Sequence, residues 1–230
     1  MIVLACETST LLGSVAVIKD GQILFEKQLL RQGSHTEILN PFIAEILDLS
    51  KLKLTDVDCF ATGLGPGSFT GLRISLNAIK SFGYIHNKPV FGLDSLINLA
   101  FLNMKMYKLE CQRITPMINA YKNMVYIAEY ELQNNNVIEI KPPQVVRVQE
   151  LDQFIVQNTH VVGDGFATYE KYFSESLKQK LIRIDNCLDH PTAGCLGLMS
   201  AANENLQKHF SWAFPRYCGY KNFIDFSVLF

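Results

Sequence analysis

The sequence predicts an α/β protein of two similar halves, each a mixed sheet flanked by helices. Short apolar runs bounded by turn residues open the chain and give way to alternating strand and helix patterns. After a polar stretch over 105–113 the same order begins again. The composition agrees, since 230 residues at 48% hydrophobic and 19% charged can build a sizeable core. A chain of this length buries roughly 70% of its unfolded surface and needs neither disulfides nor metal to fold.

In the first half, 2–6, 14–18 and 23–29 read as strands. Asp20-Gly21 lies between the second and third, and both residues tolerate positive φ, so these two strands pair through a tight hairpin. Ser34 and Glu37 form a capping box, and Ile38, Leu39, Phe42, Ile43, Ile46 and Leu47 continue on one helical stripe. Pro41 inside that stripe predicts a kink or an early break. A strand over 57–61, the glycine-rich stretch 63–71 and a helix with Leu72, Leu76 and Ile79 on one face come next. A short strand over 89–92 then leads to a helix capped by Asp94 or Ser95, with Leu96, Leu99 and Ala100 inward. This order resembles a ribonuclease H-like unit, which the superfamily of actin, hexokinase and the heat-shock ATPases uses twice.

The second half repeats it. Runs 114–118 and 124–130 form a hairpin, and 137–140 is a third strand. A helix over 148–156, a strand over 160–162, a helix over 167–177, a strand over 181–184 and a helix over 192–206 complete the alternation. The boundary falls within 104–113, dividing the chain into 1–108 and 109–230. No sequence repeat accompanies the repeated order, so the expectation is a duplicated topology.

Twenty-one basic residues stand against 22 acidic ones, a formal net charge of −1. That balance provides no overall field to gather nucleic acid or an anionic membrane, which argues against free-standing RNA binding. The N-terminal apolar run has no basic leader and is interrupted by Glu7, and no other apolar stretch reaches the ~20 residues of a membrane span. Six scattered cysteines without a C-x-x-C pair fit reduced thiols in the cytoplasm.

Three places could carry chemistry. The glycines 63, 65, 67 and 71 between a strand and a helix could cradle an anion with bared N–H groups. The stretch is neither a Walker A loop nor G-x-G-x-x-G, and Pro66 removes a donor, so a tight, close-packed connection is slightly favoured. Glu7-Thr-Ser-Thr10 could face a phosphate–magnesium group at the mouth of a sheet, or could be a polar corner satisfying its own backbone. Cys187, His190 and Cys195 lie close together without the spacing or the fourth ligand of a zinc site. Ser68 sits in no G-x-S-x-G elbow and is a poor nucleophile. Eight aromatic residues between Phe210 and Phe230 must be covered, by the chain itself or by a partner, and the first half is the expected cover.

Taken together, Glu7-Thr-Ser-Thr10, Ser14-Val-Ala-Val17, Ser34-His-Thr-Glu-Ile-Leu39 with Pro41, and Gly65-Pro-Gly-Ser-Phe-Thr-Gly-Leu-Arg73 resemble the bacterial TsaB (YeaZ) family. Lys80 and Pro89-Val-Phe-Gly-Leu-Asp-Ser-Leu96 extend the match, and Val125-Tyr-Ile-Ala-Glu-Tyr130 and Val162-Gly-Asp-Gly165 agree more loosely. The resemblance implies an actin-like ATPase fold that has lost catalysis and serves as platform for TsaD. TsaD transfers a threonylcarbamoyl group to the adenosine beside the anticodon of tRNAs reading codons that begin with A. TsaE, a small ATPase, joins the pair, and TsaC makes the threonylcarbamoyl-adenylate donor. It further implies that tRNA is met through the complex, that no membrane is involved, and that a homodimer is an option without TsaD.

On this reading no residue is catalytic, no metal is bound and no cofactor is held tightly. ATP or ADP with magnesium enters with the assembled complex, and Glu7, Ser9, Gly65, Gly67 and Ser68 mark a vestigial nucleotide site. The expected contact surface for TsaD is His35, Leu39, Ile43, Leu72, Arg73, Leu76 and Lys80, on the two apolar helices of the first half. Three departures stand out from the family pattern. Glu7 replaces the usual Asp, whose carboxylate organises magnesium in active relatives; Asn119-Ala-Tyr121-Lys122 replaces Asp-Ala-Arg; and Pro215-Arg-Tyr217-Cys-Gly219 replaces Pro-x-Tyr-Leu-Arg. The competing enzyme reading is a small ATP-dependent kinase or hydrolase using Glu7, Ser9 and 63–71. A metallopeptidase is disfavoured because no histidine pair is available to hold a metal.

Overall fold

The computed structural model describes residues 1–30, 36–106, 112–133, 136–183 and 186–202. Strands β1 (Ile2–Glu7), β2 (Leu12–Lys19) and β3 (Gln22–Leu30) form an antiparallel meander. Lys19 pairs with Gln22, and the intervening Asp20 and Gly21 have φ of 50° and 76°, the left-handed turn that this dipeptide favours. Helix α1 (Thr36–Ser50) leads to β4 (Cys59–Gly63), which pairs parallel to β1. Helix α2 (Phe69–His86) leads to β5 (Val90–Leu93), parallel to β4. The sheet order is β3-β2-β1-β4-β5. β1 is buried on both faces, as a strand sandwiched between helical layers must be, and its run of apolar residues meets that demand.

After α3 (Ser95–Phe101), capped by the Asp94 carboxylate on the N–H groups of Leu96 and Ile97, a second sheet forms. It contains β6 (Arg113–Asn119), β7 (Met124–Gln133), β8 (Asn136–Arg147), β9 (Thr159–Val162) and β10 (Leu181–Arg183), in the order β10-β9-β6-β7-β8. Its first three strands are antiparallel and the last two are added parallel, so the duplicated topology is present. The buried Glu129 of β7 lies between Arg113 of β6 (2.9 Å) and Lys141 of β8 (2.8 Å), tying three strands together.

Several expectations are corrected. α1 runs unbroken through Pro41. A proline there deletes one helical hydrogen bond, and burial of Leu39, Ile43, Ile46 and Leu47 against the sheet outweighs that loss. The third strand of the second half is 12 residues long, and Pro142 and Pro143 fall at its register shift, where no ladder N–H is needed. The helix expected over 148–156 shrinks to a 3-10 turn, Val148–Glu150, and α4 (Leu151–Phe154). The helix expected over 167–177 splits into α5 (Asp164–Tyr169), a 3-10 turn over Glu170–Tyr172 and α6 (Glu175–Lys178). Ser174 starts α6 by accepting the Leu177 N–H, so the inward Tyr169, Phe173 and Leu177 keep their face across a break. Helix α7 (Ala193–Ala201) is capped by Thr192, while its expected extension to 206, the Ser34 cap and the aromatic stretch 210–230 lie outside the described residues.

Among the described residues, α3 of the first half packs on the second sheet and α7 of the second half on the first. Leu96, Leu99 and Ala100 of α3 sit with Ile114, Ile118, Ala128 and Tyr130 of the second sheet. Ala193 and Leu196 of α7 sit with Val3, Ala5, Ala16, Ile18, Cys59 and Ala61 of the first. α1 and α2 cover the opposite face of the first sheet, and α4 to α6 cover the far face of the second. No helix among the described residues is long and apolar enough to cross a membrane.

Candidate functional site at the end of β1

Glu7 ends β1 where the two halves meet, and its side chain is 0% exposed. One carboxylate oxygen accepts the Ser9 N–H at 2.9 Å. The other accepts the Ser95 hydroxyl at 3.3 Å and the Asn98 amide at 3.5 Å, and that amide also donates to the Thr192 carbonyl at 3.1 Å. One carboxylate therefore joins β1, α3 and the segment before α7. Burial pushes its pKa above the usual carboxylate range, and the donors from Ser9 and Ser95 offset that only in part.

The raised pKa fixes the sign of the linked stability. Because the folded carboxyl titrates above its unfolded value of about 4.3, the stability tied to Glu7 is full below that value and is lost as pH rises through the folded pKa. Glu7→Gln, which resembles the protonated form, is expected to gain on the wild type in thermal melts as pH rises from about 4 to about 8. A difference between the two that stays flat with pH would show that the carboxylate is not sealed.

The 63–71 loop folds back onto the same corner. The Ser68 N–H donates to the Ser9 carbonyl at 2.7 Å, the Ser95 N–H to the Gly65 carbonyl at 2.7 Å, and the Thr8 hydroxyl to the Gly71 carbonyl at 2.7 Å. Gly65 has φ of 85°. A Cβ on Gly63 would stand 2.2 Å from a Glu7 carboxylate oxygen, one on Gly67 2.2 Å from the Ser9 carbonyl, and one on Gly71 2.0 Å from the Thr8 carbonyl. At Gly67 and Gly71 backbone meets backbone, and at Gly63 a side chain would displace the Glu7 carboxylate. Ser68 is the N-cap of α2, accepting the Gly71 N–H at 3.2 Å.

The structure thus brings Glu7, Ser9, Gly65, Gly67 and Ser68 together, but they do not fit a phosphate–magnesium group. The Glu7 carboxylate is fully buried behind three donors, and the loop glycines Gly67 and Gly71 pack directly against the carbonyls of Ser9 and Thr8. Ser95, Asn98 and Thr192 complete this corner, and sequence reasoning missed all three. Asn98 is a polar residue among Leu96, Leu99 and Ala100, a pattern that carries no sign of its distant partners.

Across the joint, the His190 ring nitrogen Nδ1 is 3.1 Å from the Thr10 hydroxyl. Asn119 donates its N–H to Asp164 at 3.0 Å, and its side-chain oxygen accepts from Tyr169 at 3.0 Å and from the Tyr121 N–H at 2.8 Å. Burial raises the Asp164 pKa, with the Asn119 N–H and His190 working against that rise. Asp189 accepts from Gly163 N–H and from Arg183, at 2.7 and 2.6 Å. No group of His, Cys, Asp and Glu able to hold a metal occurs among the described residues, so Cys187, His190 and Cys195 form no such site.

The residues expected to meet a partner differ in exposure. Leu39, Ile43 and Leu76 are buried against the first sheet, Leu72 is fully buried, and Lys80 is half-buried. A helix has one apolar stripe, and the sheet has claimed it. Arg73 is exposed and lies 3.9 Å over the Phe69 ring, and His35 lies outside the described residues. The outward face of α2 instead carries Phe69, Arg73, Asn77, Tyr84 and Ile85, with the last two 77% and 70% exposed. Neighbouring α1 presents Asn40, Ala44, Asp48 and Leu49.

Two five-stranded sheets of one topology, with exchanged helices between them and a closed loop at the joint, define a duplicated ribonuclease H-like fold of the actin-like kind. The fold is shared with component A of (R)-2-hydroxyglutaryl-CoA dehydratase from Acidaminococcus fermentans, at a TM-score of 0.50 and 10% identity over 88% of this chain and 100% of that one. YeaZ from Pseudomonas aeruginosa matches at a TM-score of 0.80 and 24% identity, over 94% of this chain and 99% of that chain. The family model described as TsaD, tRNA N6-adenosine threonylcarbamoyltransferase, matches residues 30–222. The tRNA threonylcarbamoyladenosine biosynthesis protein TsaB of Haemophilus influenzae is 30% identical over 215 residues, 90% of this chain and 87% of that protein. TsaB of Buchnera aphidicola from Schizaphis graminum is 30% identical over 193 residues, 82% of this chain and 90% of that protein. The chain belongs to the TsaB family.

Proposed function

We propose that this chain serves tRNA threonylcarbamoyladenosine biosynthesis as a non-catalytic partner of TsaD, pairing through the outward faces of α1 and α2. The observation that carries the reading is the bare apolar end of α2, where Tyr84 and Ile85 stand in solvent while Leu72, Leu76 and Ile79 of the same helix are spent on the sheet. Exposed aromatic and aliphatic side chains on a face that carries Arg73 three turns earlier are the composition of an interface core with a polar rim. The sealed Glu7 supports the absence of catalysis, because a kinase or hydrolase would need that carboxylate open to magnesium. The near-neutral charge supports tRNA being held by the assembly, with TsaE and the TsaC product meeting it there.

Light scattering of the purified chain mixed with TsaD of the same organism tests this. A one-to-one complex is expected, and it should be lost in Tyr84→Asp/Ile85→Asp while the melt stays within about 0.5 kcal/mol of the wild type, as for other surface changes. Separate peaks for the two wild-type proteins, or an unaffected complex in the double variant, would overturn the pairing surface. Magnesium-dependent ATP turnover abolished by Glu7→Ala would instead establish the kinase or hydrolase reading.

A further inference from the structure

The two helices that cover the outer face of the first sheet each carry charge of one sign. α1 holds Glu37, Glu45 and Asp48 and no lysine or arginine, whereas α2 holds Arg73 and Lys80 and no acid. Both helices connect parallel strands across the same face, so they lie side by side and run in the same direction. Asp48 therefore marks an acidic corner at the end of α1. Arg73 marks a basic corner at the opposite end of the surface, near the start of α2.

Neither charge is placed to stabilise its own helix. The end of a helix is its negative pole and the start its positive one, so a carboxylate in the last turn and a cation near the first both oppose the helix dipole. Asp48 stands in the last turn of α1, which has no basic residue, and Arg73 follows the first turn of α2, which has no acidic one. Both side chains are exposed, and among the described residues neither has an ion-pair partner. Arg73 stacks on the neighbouring Phe69 ring, which leaves its charge unmatched. Glu45, by contrast, is tied to Lys27 of β3.

We propose that the partner reads these two corners: the docking surface of TsaD presents a cation to the end of α1 and a carboxylate to the start of α2, and this fixes the orientation in which the helices are met. The inference rests on the pairing through the outward faces of α1 and α2 and adds what the partner's surface must carry. Complementary charge of this kind speeds encounter and disfavours the inverted docking, where like charges would face each other. Tyr84 and Ile85 lie three turns beyond Arg73, so the apolar contact and the basic corner are probed by different residues.

Exchanging the two charges tests it. Asp48→Lys combined with Arg73→Glu leaves the formal net charge at −1, because the two changes cancel, so any effect reports arrangement and not total charge. Binding of the intact chain to immobilised TsaD of the same organism is expected to weaken about tenfold or more in the exchanged variant, chiefly through a slower on-rate. The wild-type on-rate should itself fall several-fold from low to high salt. The thermal midpoint of the exchanged variant should be no lower than that of the wild type, since both new charges suit their helix dipoles, so lost binding does not report lost folding. Asp48→Asn and Arg73→Gln, which only remove a charge, should each slow association by a smaller factor. An exchanged variant that binds TsaD with the wild-type on-rate and affinity overturns the charge reading alone, while Tyr84→Asp/Ile85→Asp decides the pairing separately. A loss confined to self-association of the chain, with TsaD binding intact, also overturns it and assigns the corners to contact between two copies. A wild-type chain that does not bind TsaD overturns both readings.

Discussion

Replacing Leu76 by glutamate is expected to unfold the protein. Leu76 is 7% exposed and belongs to the cluster of Leu4, Phe60, Ile79 and Val90 beneath α2. Losing a buried leucine side chain forfeits about 2 to 3 kcal/mol of burial, and a carboxyl left there without a partner costs a similar amount again. The sum, about 4 to 6 kcal/mol, is comparable with the lower end of the about 5 to 15 kcal/mol that holds a domain folded. Urea titration followed by circular dichroism measures it, with Asn77→Glu, one residue along on the exposed side, as the control expected within about 0.5 kcal/mol of wild type. A Leu76→Glu protein with a wild-type midpoint would mean that α2 turns a different face to the sheet. Any loss of partner binding in this variant reports folding, which is why the pairing is better probed at Tyr84 and Ile85.

Gly71→Ala should lower stability by about 3 kcal/mol, at the upper end of what overpacking costs. Helix propensity alone predicts the opposite sign, because alanine is favoured over glycine by about 1 kcal/mol inside a helix. The tertiary contact decides. The new methyl group would stand 2.0 Å from the Thr8 carbonyl oxygen, a backbone atom at the end of a strand buried on both faces. Relieving the clash must move α2 off β1 and break the 2.7 Å bond from the Thr8 hydroxyl to the Gly71 carbonyl. Thermal melts of the variant against wild type check the sign, and a raised midpoint would show that the loop and strand are not in contact.

The turns and caps that the sequence announces are the ones whose partners lie within a few residues. Asp20-Gly21 makes its hairpin and Asp94 caps α3, because each needs only its own backbone neighbours. The co-occurrence of Glu7-Thr-Ser-Thr10 with 65–73 points to the right family for the same reason: both are contiguous strings. In the second half the helices are shorter than their apolar spacing predicts, yet the spacing itself holds. Phe173 and Leu177 do face inward, but a capping serine between them restarts the helix.

The sequence alone therefore determined the order of elements, the duplicated topology, the two-residue turn and the family. Tertiary structure decided which side of α1 and α2 is spent, what Glu7 touches, why the loop glycines must be glycines, and that α3 and α7 cover each other's sheets. Local signals act through a few covalent bonds and are written in neighbouring residues. Burial depends on two surfaces meeting, and Glu7 meets Asn98, and Ser14 meets Ala193, only after the chain has closed on itself. Leu76 and Tyr84 look alike as apolar residues of one helix. The sheet beneath α2 makes one of them core and leaves the other in water.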